Sequence, residues 1–231
     1  MHRLSHAPGP HVHVHESTAA ATVTAVDLLA DLLSGARAQG GILNQTIVDP
    51  PWSIRIADRA PLTLMTFLRG DGWLGHGDAP PRHLGSGDVA IVRGPDPYVV
   101  SDDPGREPLF TIMPNGRCVA ADGSDLHLDL ALDVRTHGPS PAGSVAILSG
   151  TYQVDGNVSR RLLTALPRVL TVPAAEARNS AVGLLHEEML RDEPGQQAVL
   201  DRLLDLALLI HAAVVVRGGV GAPSALVRSA G

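Results

Sequence analysis

The chain has 231 residues and a formal net charge of −6, and all 18 of its basic residues are Arg. That length suits one substantial domain, or one domain with a small helical appendage. The charge argues against a nucleic-acid surface, which needs clustered positive side chains, and here only Arg160 and Arg161 stand together.

The single cysteine, Cys118, excludes an internal disulfide and a cysteine-based zinc cluster. No apolar run reaches the ~18–20 residues that span a bilayer, and the start lacks the apolar block of a signal peptide. A cytoplasmic protein is expected. Aromatics make up only 3% of the chain against 44% apolar residues, so the core must be built from Val, Leu, Ile and Ala. The few aromatics then stand out as pocket or anchor residues.

Residues 1–22 are polar, Pro-containing and aperiodic, and are expected to be a disordered tail. His11, His13 and His15 alternate there and could take up Zn, Ni or Cu. A floppy tail pre-organises nothing, so such binding is adventitious. Helical spacing begins near Val23, with Val26, Leu29, Leu32 and Leu33 on one face, and stops at Gly40-Gly41.

From about 42 to 155, short segments rich in Val, Ile, Leu and Thr are separated by Gly, Pro and Asp clusters. GILNQTIV, WSIRIA, LTLMTFL, GDVAIV, YVV, LFTIM, LHLDLALDV and SVAILSGTYQV follow in turn. WSIRIA and LHLDLALDV alternate apolar and polar residues, the pattern of half-buried strands. Strands at this spacing suggest a sandwich or closed barrel. No long helical stretch separates them, which argues against a parallel α/β sheet.

From 159 the helical period returns. SRRLLTAL is a short helix stopped by Pro167, and RVLTV is the candidate last strand. AEARNSAVGLLHEEMLRDE carries Val182, Leu185 and Met189 on one face. The last helix covers about 196–216. Its residues Leu200, Leu203, Ala207, Ile210 and Val214 recur every three and four positions, a coiled-coil-like stripe that the barrel or a second chain must cover. Residues 217–231 are expected to be a flexible tail. The expected organisation is a tail (1–22), a β-barrel domain with an N-terminal helix (23–173), paired linker helices (174–216) and a second tail (217–231).

The ordered segments PWSIRI, LTLMTFLRGDGWL, HLGSGDVAIVRGPDPYVVSDD, SVAILSGTYQVDG with RRLLTALPRVLTV, and LLHEEMLRDEPGQQAVLDRLLDLALLIHA carry a family likeness over roughly residues 25–213. Together they resemble the cupin-like ligand-binding and dimerisation domain of AraC/XylS-type transcription regulators. The resemblance implies a mainly β fold with C-terminal helices: a jelly-roll barrel followed by two linker helices that dimerise. It also implies two helix-turn-helix units after those helices. Residues 217–231 are too few and too Gly-rich to form one, so direct DNA binding by this chain is not expected.

Catalytic cupins hold a metal through two His one residue apart, a nearby Glu and a later His. LTLMTFLRGDGWLGHGD has no His-x-His, and Tyr98 takes the later His position. No catalytic residue, metal or cofactor is therefore expected. His76 and His83 flank the turn GDAPPR, two ligands without an evident third, and are expected to be solvent-facing loop residues. Ser149-Gly150-Thr151 lacks the nucleophile-elbow pattern, and Gly85-Ser86-Gly87 lacks the Lys of a phosphate loop. Asp125, Asp129 and Asp133 share one strand face, which fits a solvent side.

An aliphatic barrel needs a few polar and aromatic groups to orient a ligand. Trp52, Ile54, Tyr98 and Tyr152 are the candidate ligand-binding residues, with Ile56 on the Trp52 face and Arg55 on the opposite, solvent side. The expected function is effector sensing, with a homodimer formed through Leu200, Leu203, Ala207, Ile210 and Val214. A metal-dependent cupin enzyme and a non-binding scaffold are the two rival readings.

Overall fold

The structure, a computed structural model, describes residues 41–152, 163, 167–177 and 180–219. The expected N-terminal tail and helix, most of the segment 159–166, and residues 220–231 lie outside them.

Thirteen strands, numbered in chain order, form two sheets among the described residues. The seven-stranded sheet runs Ala131–Asp133 (β10), Thr136–His137 (β11), Leu43–Val48 (β1), Val145–Tyr152 (β12), Leu62–Arg69 (β3), Val89–Arg93 (β6) and Val169–Val172 (β13). The six-stranded sheet runs Arg82–Leu84 (β5), Gly72–His76 (β4), Tyr98–Ser101 (β7), Ser53–Ile56 (β2), Phe110–Ile112 (β8) and Cys118–Ala120 (β9). Pairing is antiparallel except at β1–β11 and β2–β8. Two helices follow, Ser180–Met189 (α1) and Gln196–Gly219 (α2). The fold is thus mainly β with two C-terminal helices, and α2 runs three residues into the segment expected to be a tail.

The period-2 alternation of side chains assigns the two faces of the seven-stranded sheet to two separate cores. Thr63, Met65 and Phe67 of β3 point toward the six-stranded sheet, with Ala90 and Val92 of β6 and Val145 and Ile147 of β12. Leu62 and Leu64 point the other way, with Val89, Ile91, Leu148 and Tyr152, into a cluster completed by the helices. Burial on both faces explains why LTLMTFL and VAIV are unbroken apolar runs. In the six-stranded sheet the outer face is open: Ile54 and Ile56 are buried while Arg55 between them is exposed.

α1 contributes Ala181, Val182, Leu185 and Met189 to the helix-side core, and α2 contributes Leu200, Leu204, Ala207 and Leu208. Each fully buried Leu contributes about 2 kcal/mol by removal from water. Gly150 of β12 lets α2 lie close, because a Cβ there would sit 2.4 Å from Leu204 Cδ1. The Tyr152 hydroxyl donates to the Leu204 carbonyl and pins the middle of α2 to the sheet. At the start of α2, Arg135 donates to Gln196 Oε1 and Gln197 Oε1, each at 2.9 Å. That fork ties the helix to the β10–β11 hairpin.

One expected strand is absent. LHLDLALDV alternates, yet only Ala131–Asp133 is extended, and Leu128 is 86% exposed. Asp125 accepts from the backbone N–H of His127 at 2.9 Å and from the Arg117 guanidinium, and Leu130 N–H reaches the Leu126 carbonyl. Local Asp-to-backbone bonds compete with the ladder and fold this stretch into turns. Asp125, Asp129 and Asp133 do lie toward solvent.

Candidate functional site

The two sheets enclose a cavity of about 100 Å³. A single water needs roughly 10–15 Å³ of such space, so the cavity can take a small organic molecule. Ile54, Ile56, Met65, Val100, Ile112 and Ile147 form its apolar walls. Polar groups come from β1 (Asn44 and Thr46), β3 (Thr63), β7 (Tyr98), β12 (Ser149 and Thr151) and β11 (His137).

Asp58 also lines it. The inward parity of Ile54 and Ile56 carries on past the end of β2 to residue 58, which brings the carboxylate to the cavity. One oxygen accepts from the Ala60 N–H at 3.0 Å, and Ala57 N–H holds the Ile112 carbonyl at 2.8 Å. Arg59 adopts φ 61, a conformation that side chains with a Cβ rarely take, so its surroundings impose the turn. Burial raises the Asp58 pKa above the ordinary carboxylate value, with the backbone N–H bonds opposing. No basic side chain contributes to this shift.

Tyr98 faces the same space. Burial pushes its phenol pKa up, the neighbouring Asp58 carboxylate adds to the shift, and the Thr63 hydroxyl opposes it. Burial raises the Cys118 thiol, with Asp125 adding to it. His137 is lowered, first by burial and then by His127, whose ring centroid lies 5.8 Å away. Among the described residues the lining therefore holds neutral Tyr, Cys and His groups, one carboxyl, and no Arg.

Of the candidates from sequence, Ile54 and Tyr98 line the cavity and Trp52 and Tyr152 do not. Trp52 lies on the Ile54 face as expected, but at the filled end of the interior. Its ring meets Phe67 at 6.3 Å, and Gly72 makes room for it, since a Cβ there would lie 2.9 Å from both rings. Tyr152 has the parity of Leu148, so it points to the helix layer, while Thr151 beside it points inward.

His76 and His83 are also placed differently from the expectation of two loop residues. Both are in strands, and β4–β5 register sets His83 opposite Trp73 rather than opposite His76. His83 is exposed and pairs with Asp71 at 2.7 Å. His76 is 4% exposed, stacks on Tyr98 at 6.3 Å and 14°, and neither ring nitrogen meets a hydrogen-bond partner. Among the described residues no three His, Cys, Asp or Glu side chains group to hold a metal ion. The described residues do not fit the metal centre of catalytic cupins.

Leu200 and Ala207 are buried in the chain's own core between sheet and helices, and Leu203, Ile210 and Val214 pack against the same cluster. Much of the proposed dimer stripe is therefore an intramolecular face. Val199, Leu206 and Leu209, between 41% and 46% exposed, lie on the outward side of α2.

Residues 27–213 match the family model Cupin_6, described as "Cupin". The chain belongs to the cupin family. A solved structure of an apo ToxT variant from Vibrio cholerae strain SCE256 resembles this cupin at 7% identity and a TM-score of 0.41. The likeness covers 74% of this chain and 55% of that one. No curated protein matches the sequence. Among the described residues, no helix is long and apolar enough to cross a membrane.

Asp58, Thr63 and His137 were missed by sequence reasoning. Asp58 had a signal: it continues the inward parity of Ile54 and Ile56. Thr63 had none, because both faces of its strand are buried and so indistinguishable; His137 had none, because its two-residue strand is too short to show a period.

Proposed function

We propose that this cupin is the effector-sensing part of an AraC-type transcription regulator, that it binds a small molecule in its barrel, and that it is not an enzyme. The observation that carries this reading is the cavity between the sheets, apolar on most sides and with Asp58, Thr63 and Tyr98 grouped on it. Such a space with a few orienting polar groups suits ligand binding. The helix pair supplies an output. His137 lines the cavity, and Arg135 of the same hairpin grips the start of α2, so a ligand that favours one hairpin position also favours one helix position.

In this reading the 231 residues do not themselves bind operator DNA, consistent with the charge of −6. A second copy would meet Val199, Leu206 and Leu209, which keep the heptad-like spacing of α2 but stay exposed. Light scattering on Leu206→Glu beside the parent checks this part: a dimer that dissociates supports it, and an unchanged mass discards it.

The test of ligand binding is a thermal-shift screen of small polar and apolar compounds. A ligand at 100 times its Kd adds about 2.7 kcal/mol, or roughly 5–11 °C for a domain of this size. Ser149→Leu, which projects a larger side chain into the cavity, should abolish the shift. No shift from any compound, or one that survives Ser149→Leu, would favour a scaffold.

A further inference from the structure

We infer that the cavity takes a small cationic amphiphile: an amine whose ammonium group pairs with Asp58 beside Tyr98 while its hydrocarbon body lies against Ile54, Ile56, Met65 and Ile147. The inference rests on the reading of the cavity as an effector site and narrows its ligand class.

The argument is one of charge and shape. The chain contains no Lys, and among the described residues no Arg lines the cavity. A carboxylate, phosphate or sulfate ligand would thus lose its hydration with no cation to replace it, and would lie against the Asp58 carboxylate. An ammonium meets the reverse situation. Among the described residues Asp58 accepts from the backbone N–H groups of Ala60 and of its own residue and from no side chain, so the carboxylate retains acceptor capacity. Burial already makes its ionised form costly, with no basic side chain to offset it, and a bound cation would relieve that cost.

The aromatic side chains of Tyr98 and Phe110 also line the cavity, and aromatic rings are favourable neighbours for a cation. The neutral phenol, thiol and imidazole of Tyr98, Cys118 and His137 place no positive charge against it. Beyond the polar end, the walls are aliphatic, and a branched hydrocarbon of four to six carbons is a natural fill.

Three probes on the same branched five-carbon skeleton, cationic, neutral and anionic, decide the matter: 3-methylbutylamine, 3-methylbutanol and 3-methylbutanoate. Each is titrated into the full chain at pH 7.5 and followed by calorimetry or by NMR. The amine should bind at least tenfold more tightly than the alcohol, and the acid should bind most weakly. Asp58→Asn keeps the acceptor for Ala60 N–H and should bring the amine down to the alcohol's affinity. Unchanged alcohol binding in that variant shows that the cavity is intact. Ser149→Leu should remove binding of all three, which separates the cavity from attraction to the acidic surface. Alcohol or acid binding as tight as the amine, or an amine preference that survives Asp58→Asn, overturns the charge argument and leaves the effector-site reading standing. Absence of binding by all three overturns both.

Discussion

Gly94 offers a direct test of how the fold positions Asp58. A Cβ built on Gly94 would stand 1.9 Å from the Ala60 carbonyl oxygen and 3.0 Å from its carbon. These are backbone atoms, which cannot rotate away as a side-chain tip can. Gly94 N–H is itself bonded to the Pro61 carbonyl at 3.0 Å, so the two segments are tied where they would have to part. Real Cβ contacts essentially never fall below 3.0 Å, so in Gly94→Ala the segment around Ala60 must retreat by at least the 1.1 Å between 1.9 and 3.0. Overpacking of this kind costs about 3 kcal/mol, which corresponds to a Tm lower by roughly 6–12 °C. Asp58 lies two residues from Ala60 and bonds its N–H, so amine binding should fall in parallel. Gly75→Ala is the control, because nothing lies within 4 Å of its Cβ position, and a change below about 0.5 kcal/mol is expected. Unfolding of both variants by heat and by urea reads the difference. A Gly94→Ala protein melting within a degree of the parent would refute the packing argument.

Three other outcomes follow from the helix layer. Leu185→Ala removes a fully buried side chain between α1 and the sheet and should lower the urea-derived stability by about 3 kcal/mol; a loss under 1 kcal/mol would mean the helices pack loosely. Tyr152→Phe deletes only the hydroxyl bond to the Leu204 carbonyl and should cost about 1 kcal/mol, since that hydroxyl leaves no charged group behind. The third concerns pH. Burial lowers the pKa of His211, against the opposing bond from its ring to the Ala207 carbonyl, and so favours the neutral ring in the folded state. Its stabilising effect is fully present above the unfolded value of about 6.5 and is lost as pH falls through the depressed folded value, because the unfolded chain then binds the extra proton. His211→Leu should flatten the fall in urea midpoint between pH 7.5 and 5.5, and an unchanged slope would show that another group titrates there.

The mainly β architecture, the longer strands and the final helix were legible in the chain because period-2 and period-3.6 patterns follow directly from which faces must leave water; Arg82–Leu84, Cys118–Ala120 and Thr136–His137 were not, being too short to show a period. Cupin membership was legible too, from the order of the segments rather than from one motif. LHLDLALDV shows the limit of periodicity: its alternation was genuine, but Asp125 bonds to the backbone two residues on and turns the chain before a strand can form. The stripe on α2 shows another limit. Spacing says that Leu200 and Ala207 must be covered, and it cannot say whether the cover is a second chain or, as here, the chain's own core of sheet and helix residues.

By itself the sequence determined the longer elements, their order, and the parity within those strands. Only the tertiary structure decided which parity is interior. Both faces of the seven-stranded sheet are apolar, one toward the cavity and one toward the helices, so residue type along β12 could not tell Thr151 from Tyr152 as a wall of the site. The gathering of Asp58, Thr63 and Tyr98 likewise depends on a loop and two strands meeting across long sequence separations. No local pattern records such a meeting, because it is set by how the sheets close.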